Sequence, residues 1–506
     1  MTVLRLEHRA GIWREPAPLR GVARLNCYPW LVVGTVCIGA FMGQVDASIA
    51  QLVLPDVEAA FHASIGAAAW VSIAYLLVAA AMLPVFGRLA DMFGRKLLYC
   101  GGFVVFVAGS ALCGMAPSLD TLVAARVLQA LGAGLLQANS IAIIVAAAAA
   151  PRRGRALGVQ SAAQAVGLSA GPALGGFLIA ALGWRWVFWI NLPVGLLGAV
   201  LGFLVLPRTE RPAGAVTPGI ATFDLAGAVL LVPSLGLLMF ALNEAGHAGP
   251  RSPLLIGPLL VGVLLLIGFV RREQRTRSPL IHLGLFRNAV FVAGNVAGLL
   301  SYATLFGAFF VLPFVLEQAY GDSSLAAGLR LTVIPAALGL VAPVSGALYD
   351  RLGARFLTVS GMAAALVGLL VLSFALGTGR LTLATAALAV FGIGQGLFTA
   401  PNNSAIMASA SAEQSGQAGG VLFVMRSLGM SLGISLASVI MAWQLPVLPD
   451  RPQATLGVPV QLLIRGAVAS FIVFAALAGV AALLCFVRTE RGTPRRGRMS
   501  FAEIAE

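Results

Sequence analysis

Two stretches decide the fold: Gly87-Arg88-Leu89-Ala90-Asp91-Met92-Phe93-Gly94-Arg95-Lys96 and Gly346-Ala347-Leu348-Tyr349-Asp350-Arg351-Leu352-Gly353-Ala354-Arg355. Both read G-x-L-x-D-x-x-G-x-[KR], 259 residues apart, and each joins two apolar runs. Recurrence at equivalent places points to a duplicated half rather than to two unrelated turns. The residue types suit a tight helix-to-helix turn. Glycine lets the chain reverse and backbones approach, an aspartate at a helix end pairs with an arginine or an exposed amide, and the basic residues hold the loop on one side of a membrane.

The surrounding composition names the solvent. Of 506 residues, 59% are hydrophobic and 10% charged, with a mean hydropathy of +0.94. A water-soluble fold of that composition would expose apolar surface, so the bilayer surrounds most of the chain. Runs of about twenty apolar residues match a hydrocarbon core roughly 30 Å thick. They are expected to be helices, because an open sheet edge has no hydrogen-bond partner in lipid. Fourteen are predicted, at 30–53, 68–87, 97–116, 119–142, 156–181, 185–206, 222–242, 253–270, 289–317, 325–348, 356–376, 381–407, 417–443 and 465–487. The repeat divides them into an all-α membrane protein of two six-helix bundles, 30–206 and 289–487, with an inserted pair and loop at 207–288. Residues 1–29 and 488–506 read as tails.

If the first tail is cytoplasmic, the cytoplasmic segments hold 25 of the 33 Lys and Arg, the opposite side five, and the spans three, Arg126, Arg330 and Arg426. The positive-inside rule therefore predicts both tails and the Arg271 to Arg287 loop on the cytoplasmic side. The net charge of +14 lies in loops beside apolar spans, which makes it a topology signal and a lipid contact rather than a nucleic-acid surface. Cys27, Cys37, Cys100, Cys113 and Cys485 are scattered and give neither a disulfide framework nor a metal site. His8, His62, His247 and His282 fall in tails or loops, and no catalytic triad, metal spacing or phosphate-binding loop stands out. No enzyme activity, ATP-driven pumping or cofactor is expected.

The Gly87 to Lys96 segment is similar to the signature loop of the major facilitator superfamily, with a degenerate second copy, and the likeness extends over nearly the whole chain. Leu122-Val123-Ala124-Ala125-Arg126-Val127-Leu128-Gln129, with Gly132 and Gly134, looks like its helix-4 motif, departing at Ala130. Gly167-Leu168-Ser169-Ala170-Gly171-Pro172-Ala173-Leu174-Gly175-Gly176 resembles the helix-5 motif of its antiporters. Val45-Asp46-Ala47-Ser48-Ile49-Ala50-Gln51-Leu52-Val53-Leu54-Pro55 resembles the first-helix motif of the fourteen-span drug:proton antiporters, departing at Ser48 and Gln51. Trp184 to Pro193 and Pro401 to Met407 look like further segments of that family. The resemblance implies export of small amphipathic or cationic compounds across a bacterial inner membrane, with protons as the coupling ion. The alternative is proton-coupled export of one specific metabolite or self-made antibiotic.

A carboxylate deep in a span is costly unless it is protonated, paired or facing a wet cavity. Asp46 is the one acid well inside a predicted span, whereas Asp224, Glu244 and Glu317 fall at span ends. Asp46 lies about seven residues before the end of the first span and Arg126 about seven after the start of the fourth, so both sit roughly 10 Å below the same surface. Gln129, one turn from Arg126, completes a candidate proton-coupling set. Gly87, Asp91, Gly94, Arg95, Gly346, Asp350 and Gly353 in the two turns are candidates for conformational gating. So is the helix-5 stripe of Gly167, Gly171, Pro172 and Gly175, read either as a sliding surface between halves or as ordinary close packing. Gly429 and Gly433 give the thirteenth span a shorter stripe, and Arg426 one turn earlier has no obvious acidic partner. It reads either as a cavity residue or as one reaching the headgroups. Candidate substrate contacts are Gln51, Tyr75, Gln137, Asn139, Asn295, Tyr302 and Gln395. The inserted spans carry no comparable constellation and read as peripheral.

Overall fold

The computed structural model describes residues 15–209, 224–244, 252–276, 283–411, 414–445 and 454–487. Most of the first tail, the second tail, part of the Arg271 to Arg287 loop, and the Asp350 side chain lie outside the described residues. Among those described, fourteen helices are long and apolar enough to cross a membrane. They are α1 Tyr28–Leu52, α2 Ile65–Phe93, α3 Arg95–Met115, α4 Leu119–Ala147, α5 Arg153–Leu182, α6 Trp186–Val205, α7 Ala226–Glu244, α8 Pro253–Glu273, α9 Ala289–Ala319, α10 Ser324–Tyr349, α11 Arg351–Gly377, α12 Leu381–Ala408, α13 Gly416–Gln444 and α14 Val460–Val487. Serines set several starts: Ser64, Ser118 and Ser323 accept backbone N–H bonds from Ala67, Thr121 and Ala326 at the heads of α2, α4 and α10.

The two quoted turns fold alike. Gly94 (φ 107°, ψ 136°) and Gly353 (φ 77°, ψ 159°) hold the same place in the repeat and the same backbone region, one that side chains avoid. The second turn is tighter than the sequence suggests, because helical structure runs through Ser324–Gly377 with non-helical backbone at Gly353 alone, so that the expected loop of 349–355 shrinks to a break at that residue. The last residue of each motif pins the end of its own bundle. The Lys96 ammonium, buried, donates to the carbonyls of Phe203 and Leu206 at the end of α6, and Arg355 stacks on Phe486 at the end of α14, 4.4 Å from the ring centre. Asp91 and Arg95 pair with each other at 3.1 Å within the first turn. Gly87 and Gly346 have open space where a side chain would stand, so neither marks a close approach in this conformation.

The helix-5 stripe packs inside one bundle. A Cβ at Gly167 would lie 2.6 Å from the Phe41 carbonyl oxygen, one at Gly175 2.6 Å from Ile49 Cγ1, and one at Gly171 would collide with the Ser48 hydroxyl, all on α1. Gly429 and Gly433 repeat the arrangement on α13, against the Leu299 and Ala303 carbonyls of α9. These glycines therefore serve close packing within each half and form no sliding surface between halves. The halves meet instead through the next face of α5, where Gly176 abuts the Ser324 carbonyl and the Pro172 carbonyl abuts Gly328 of α10.

That contact lies at the face away from Gly94, and a second seal lies beside it. The short helix Leu54–Phe61 after α1 buries Glu58 completely, and its carboxylate accepts hydrogen bonds from the backbone N–H and the hydroxyl of Thr455, in the segment before α14. Burial pushes the Glu58 carboxyl up to about 7, against the opposing pull of its bonds from Thr455 and Gln318, and Asp56 beside it up to about 6. Among the described residues the other charged groups at the seal are Glu317 and the Asp322–Arg330 pair, whose atoms are 2.7 Å apart. Further toward the Gly94 face a Cβ at Gly339 of α10 would stand 3.9 Å from the Ser169 hydroxyl of α5, an ordinary van der Waals contact.

The inserted pair is not uniformly peripheral. α8 packs on α7 and turns Leu254, Leu260 and Leu264 outward, while Arg272 holds Asp224 at 2.6 Å to staple the pair. α7, by contrast, reaches both halves: Asn243 donates to the Gly66 carbonyl of α2 and accepts from Ser438 of α13.

Replacing Gly171 or Gly429 by leucine should force these helix pairs apart at a cost of about 1–3 kcal/mol, reducing transport while membrane insertion persists. Wild-type rates in both variants would refute the close-packing account. The seal yields a pH dependence. The closed-state Glu58 carboxyl lies above its ordinary value of 4.5, so closure binds a proton. Its support is complete below about 4.5 and is lost as the pH at that face rises through about 7. Spin labels at His62→Cys and Leu456→Cys, in a background free of the native cysteines, should move apart between pH 5 and pH 8. With Glu58→Gln the distance should stay short throughout, and an unaltered pH profile in that variant would exclude Glu58 as the cause.

Candidate functional site

Asp46 and Arg126 are among the most completely buried residues of the protein, 0% and 1% exposed, and they meet. Arg126 Nη1 donates to Asp46 Oδ2 at 2.7 Å and to Gln129 Oε1 at 2.6 Å. Asp46 Oδ1 accepts from Gln129 Nε2 at 2.8 Å and from Asn191 Nδ2 at 2.9 Å. Gln129 Nε2 also reaches the Ser110 hydroxyl at 2.7 Å, and Arg126 Nε donates to the Val71 carbonyl at 2.9 Å. The guanidinium carbon stands 4.2 Å from the centre of the Tyr75 ring and 5.7 Å from that of Phe188. A buried ion pair is tolerable only when its remaining lone pairs and N–H groups are satisfied, and here α1, α2, α3, α4 and α6 all contribute to satisfying them.

The matching depths of Asp46 and Arg126 were readable from the sequence, and so was the position of Gln129. Asn191 and Ser110 were not, since a neutral polar residue in a span carries no such signal. For Asn191 the available hint was its place about six residues into α6 from the face where α4 begins, level with Asp46.

Directly in front of this pair lies a cavity between the halves. Tyr75 and Gln137 line it, with Gln44, Phe423, Arg426 and Met430. A smaller pocket opens beside it, lined by Asn295, Tyr302, Asn402 and Met425, and Arg426 borders both. Four of the seven expected substrate contacts thus reach a cavity wall. The other three do not. Gln51 lies one turn beyond the cavity-lining Ala47, where the seal has begun, and donates to the Ala47 carbonyl at 3.5 Å. Asn139 is two residues past Gln137, which turns it about 200° away on a helix of 3.6 residues per turn, and it donates to the Leu135 carbonyl. Gln395 is consumed between helices, accepting from the Ser301 hydroxyl at 2.5 Å and donating to the Thr304 hydroxyl at 3.0 Å.

Arg426 faces the cavity. Its Nη2 donates to Gln44 Oε1 across the two halves at 3.2 Å, its guanidinium carbon stands 4.6 Å from the Tyr302 ring centre, and its buried Nε has no partner. Among the described residues no cluster of His, Cys, Asp or Glu has the geometry of a metal site.

Residues 36–434 match the family model described as Major Facilitator Superfamily. The chain is 34% identical over 416 residues to the riboflavin transporter RibZ of Clostridioides difficile, covering 82% of this chain and 89% of that one. It is 33% identical over 419 residues to the multidrug resistance protein B homolog of Mycobacterium tuberculosis, covering 81% of this chain and 76% of the relative. The fold is similar to the crystal structure of a bacterial homolog of the human lysosomal transporter Spinster in an inward-facing, unoccupied conformation. That match has a TM-score of 0.64 at 16% identity and covers 92% of this chain and 97% of the other.

Replacing Asn191 by leucine strips one donor from Asp46 and should lower stability by about 1–3 kcal/mol, read as a lower Tm of the purified protein. The same change in an Asp46→Asn background should cost less, because the charge it serves is gone. Equal costs in the two backgrounds would show the Asn191 contact to be independent of the carboxylate.

Proposed function

The chain belongs to the major facilitator superfamily, and on that premise we propose that it exports small amphipathic compounds in exchange for protons by alternating access. It is a multi-pass membrane transporter and not an enzyme. The observation that carries the coupling is the Asp46–Arg126 pair, fully buried one side chain behind the cavity wall, with Tyr75 lining the cavity and touching the guanidinium. A proton arriving on Asp46 removes one charge of the pair and leaves Arg126 to redistribute its donors among Gln129, the Val71 carbonyl and the Tyr75 face. Because five helices hold the network, that redistribution reaches most of the first bundle. A rearranged bundle is the means by which a proton would favour one orientation of the cavity over the other.

The seal at one face and the cavity behind it fit one end state of such a cycle. The excess of arginine on the Gly94 side supports a cytoplasmic position for that face and for both tails, in a bacterial inner membrane. The relative named as a multidrug resistance protein supports broad export. The relative named as a riboflavin transporter supports a second reading, a transporter of one metabolite.

In proteoliposomes with an imposed pH gradient, Asp46→Asn keeps the shape but cannot titrate, and should abolish gradient-driven accumulation while substrate exchange without a gradient continues. Accumulation by Asp46→Asn at the wild-type rate would place the coupling site elsewhere. Arg126→Ala strands the carboxylate and should cost about 3–5 kcal/mol, visible as poor recovery of folded protein that the double change with Asp46→Asn partly restores.

A further inference from the structure

We propose that Arg426 is the anchor for an anionic oxygen group on the transported compound, a carboxylate, phenolate or enolate, so that the cavity prefers anionic amphiphiles to cationic ones. The proposal deepens the export reading and rests on it for the identity of the cavity as the substrate site.

Among the described residues Arg426 is the one charged side chain in the walls of the cavity and of the smaller pocket. The guanidinium is permanently charged and offers five N–H donors, of which one reaches Gln44 while the buried Nε reaches nothing. The carboxylates of Asp91, Asp46, Asp224 and Asp322 are each held by another arginine. The acid nearest the cavity, Asp46, is already matched by Arg126, so the cavity carries a net positive charge. An unmatched cation at mid-membrane is costly, and a ligand that brings an oxygen anion removes the cost by a charge-assisted, planar bond. The flanking walls mix apolar and aromatic side chains with neutral polar ones: Phe423 and Met430 on α13, Tyr302 under the guanidinium, and Gln137 and Asn295 as uncharged hydrogen-bonding groups. A flat ring system with an acidic oxygen at its edge fits those walls. A cation would meet like charge, with no carboxylate in the lining and the Tyr302 face already occupied.

The position also ties binding to conformation. Arg426 belongs to α13 of the second half, and its Gln44 contact to α1 of the first. An anion bound at the guanidinium therefore sits on the seam whose opening and closing defines the transport cycle.

The test uses two dyes that share a xanthene core and differ in charge, fluorescein as the anion and rhodamine 123 as the cation, binding at pH 8 to purified full-length protein without any gradient. Fluorescein should bind the wild type more tightly. Arg426→Gln should weaken fluorescein about ten- to a hundredfold and leave rhodamine 123 unchanged or improved, which also reports a folded cavity, with Arg426→Lys intermediate. Equal binding of the two dyes by the wild type, absence of fluorescein binding, or unchanged fluorescein affinity in Arg426→Gln would overturn the proposal. The wild-type comparison decides even where a variant fails to fold. A protein that binds fluorescein through Arg426 yet moves no compound under a pH gradient would overturn export and keep the anchor. One that exports compounds but ignores dye charge would do the reverse.

Discussion

A carboxylate and a guanidinium buried below the surface of a bilayer must find all their partners inside the protein, and that requirement organises the first bundle. Asp46 and Arg126 draw donors and acceptors from Val71, Gln129 and Asn191, and Ser110 in turn holds Gln129. The corresponding crossing in the second bundle, between α9 and α12, is neutral: Gln395 binds Ser301 and Thr304. A neutral network is cheaper to bury than an ionic one. The duplicated halves have thus diverged in their electrostatics while keeping their packing, with the titratable centre in one and the unmatched cation, Arg426, in the other.

The packing they keep is visible at equivalent places. Gly94 and Gly353 share a backbone conformation, Lys96 and Arg355 each secure the last helix of their bundle, and glycines of α5 and α13 lie against α1 and α9. None of these contacts crosses between halves. The repeat motif, a candidate for gating by its sequence, makes contacts within its own bundle in this conformation. Rigid bundles are what a rocking transporter needs, since motion can then be confined to the seam.

Much of this was legible in the sequence because membranes make the signal coarse. Apolar runs, the repeated turn and a single deep acid are discrete features, and the depths of Asp46 and Arg126 follow from counting residues. Which way a neutral polar side chain faces does not follow, because a rotation of 100° per residue separates cavity from packing contact and composition does not record it. Gln137 and Asn139 illustrate this, two residues apart with opposite surroundings. Glu58 was invisible for a different reason: its partner, Thr455, lies 397 residues away in sequence, and such a contact is a product of the whole fold.

The inserted helices break the symmetry of the molecule toward lipid. The halves meet along two lateral seams, α5 with α10 and α2 with α13. α7 lies against both members of the second, bridging Gly66 and Ser438 through Asn243, with α8 stacked outside it. The first has no such cover among the described residues. The two flanks that the seams present to the membrane therefore differ, one covered by the inserted pair and the other formed by α5 and α10 alone.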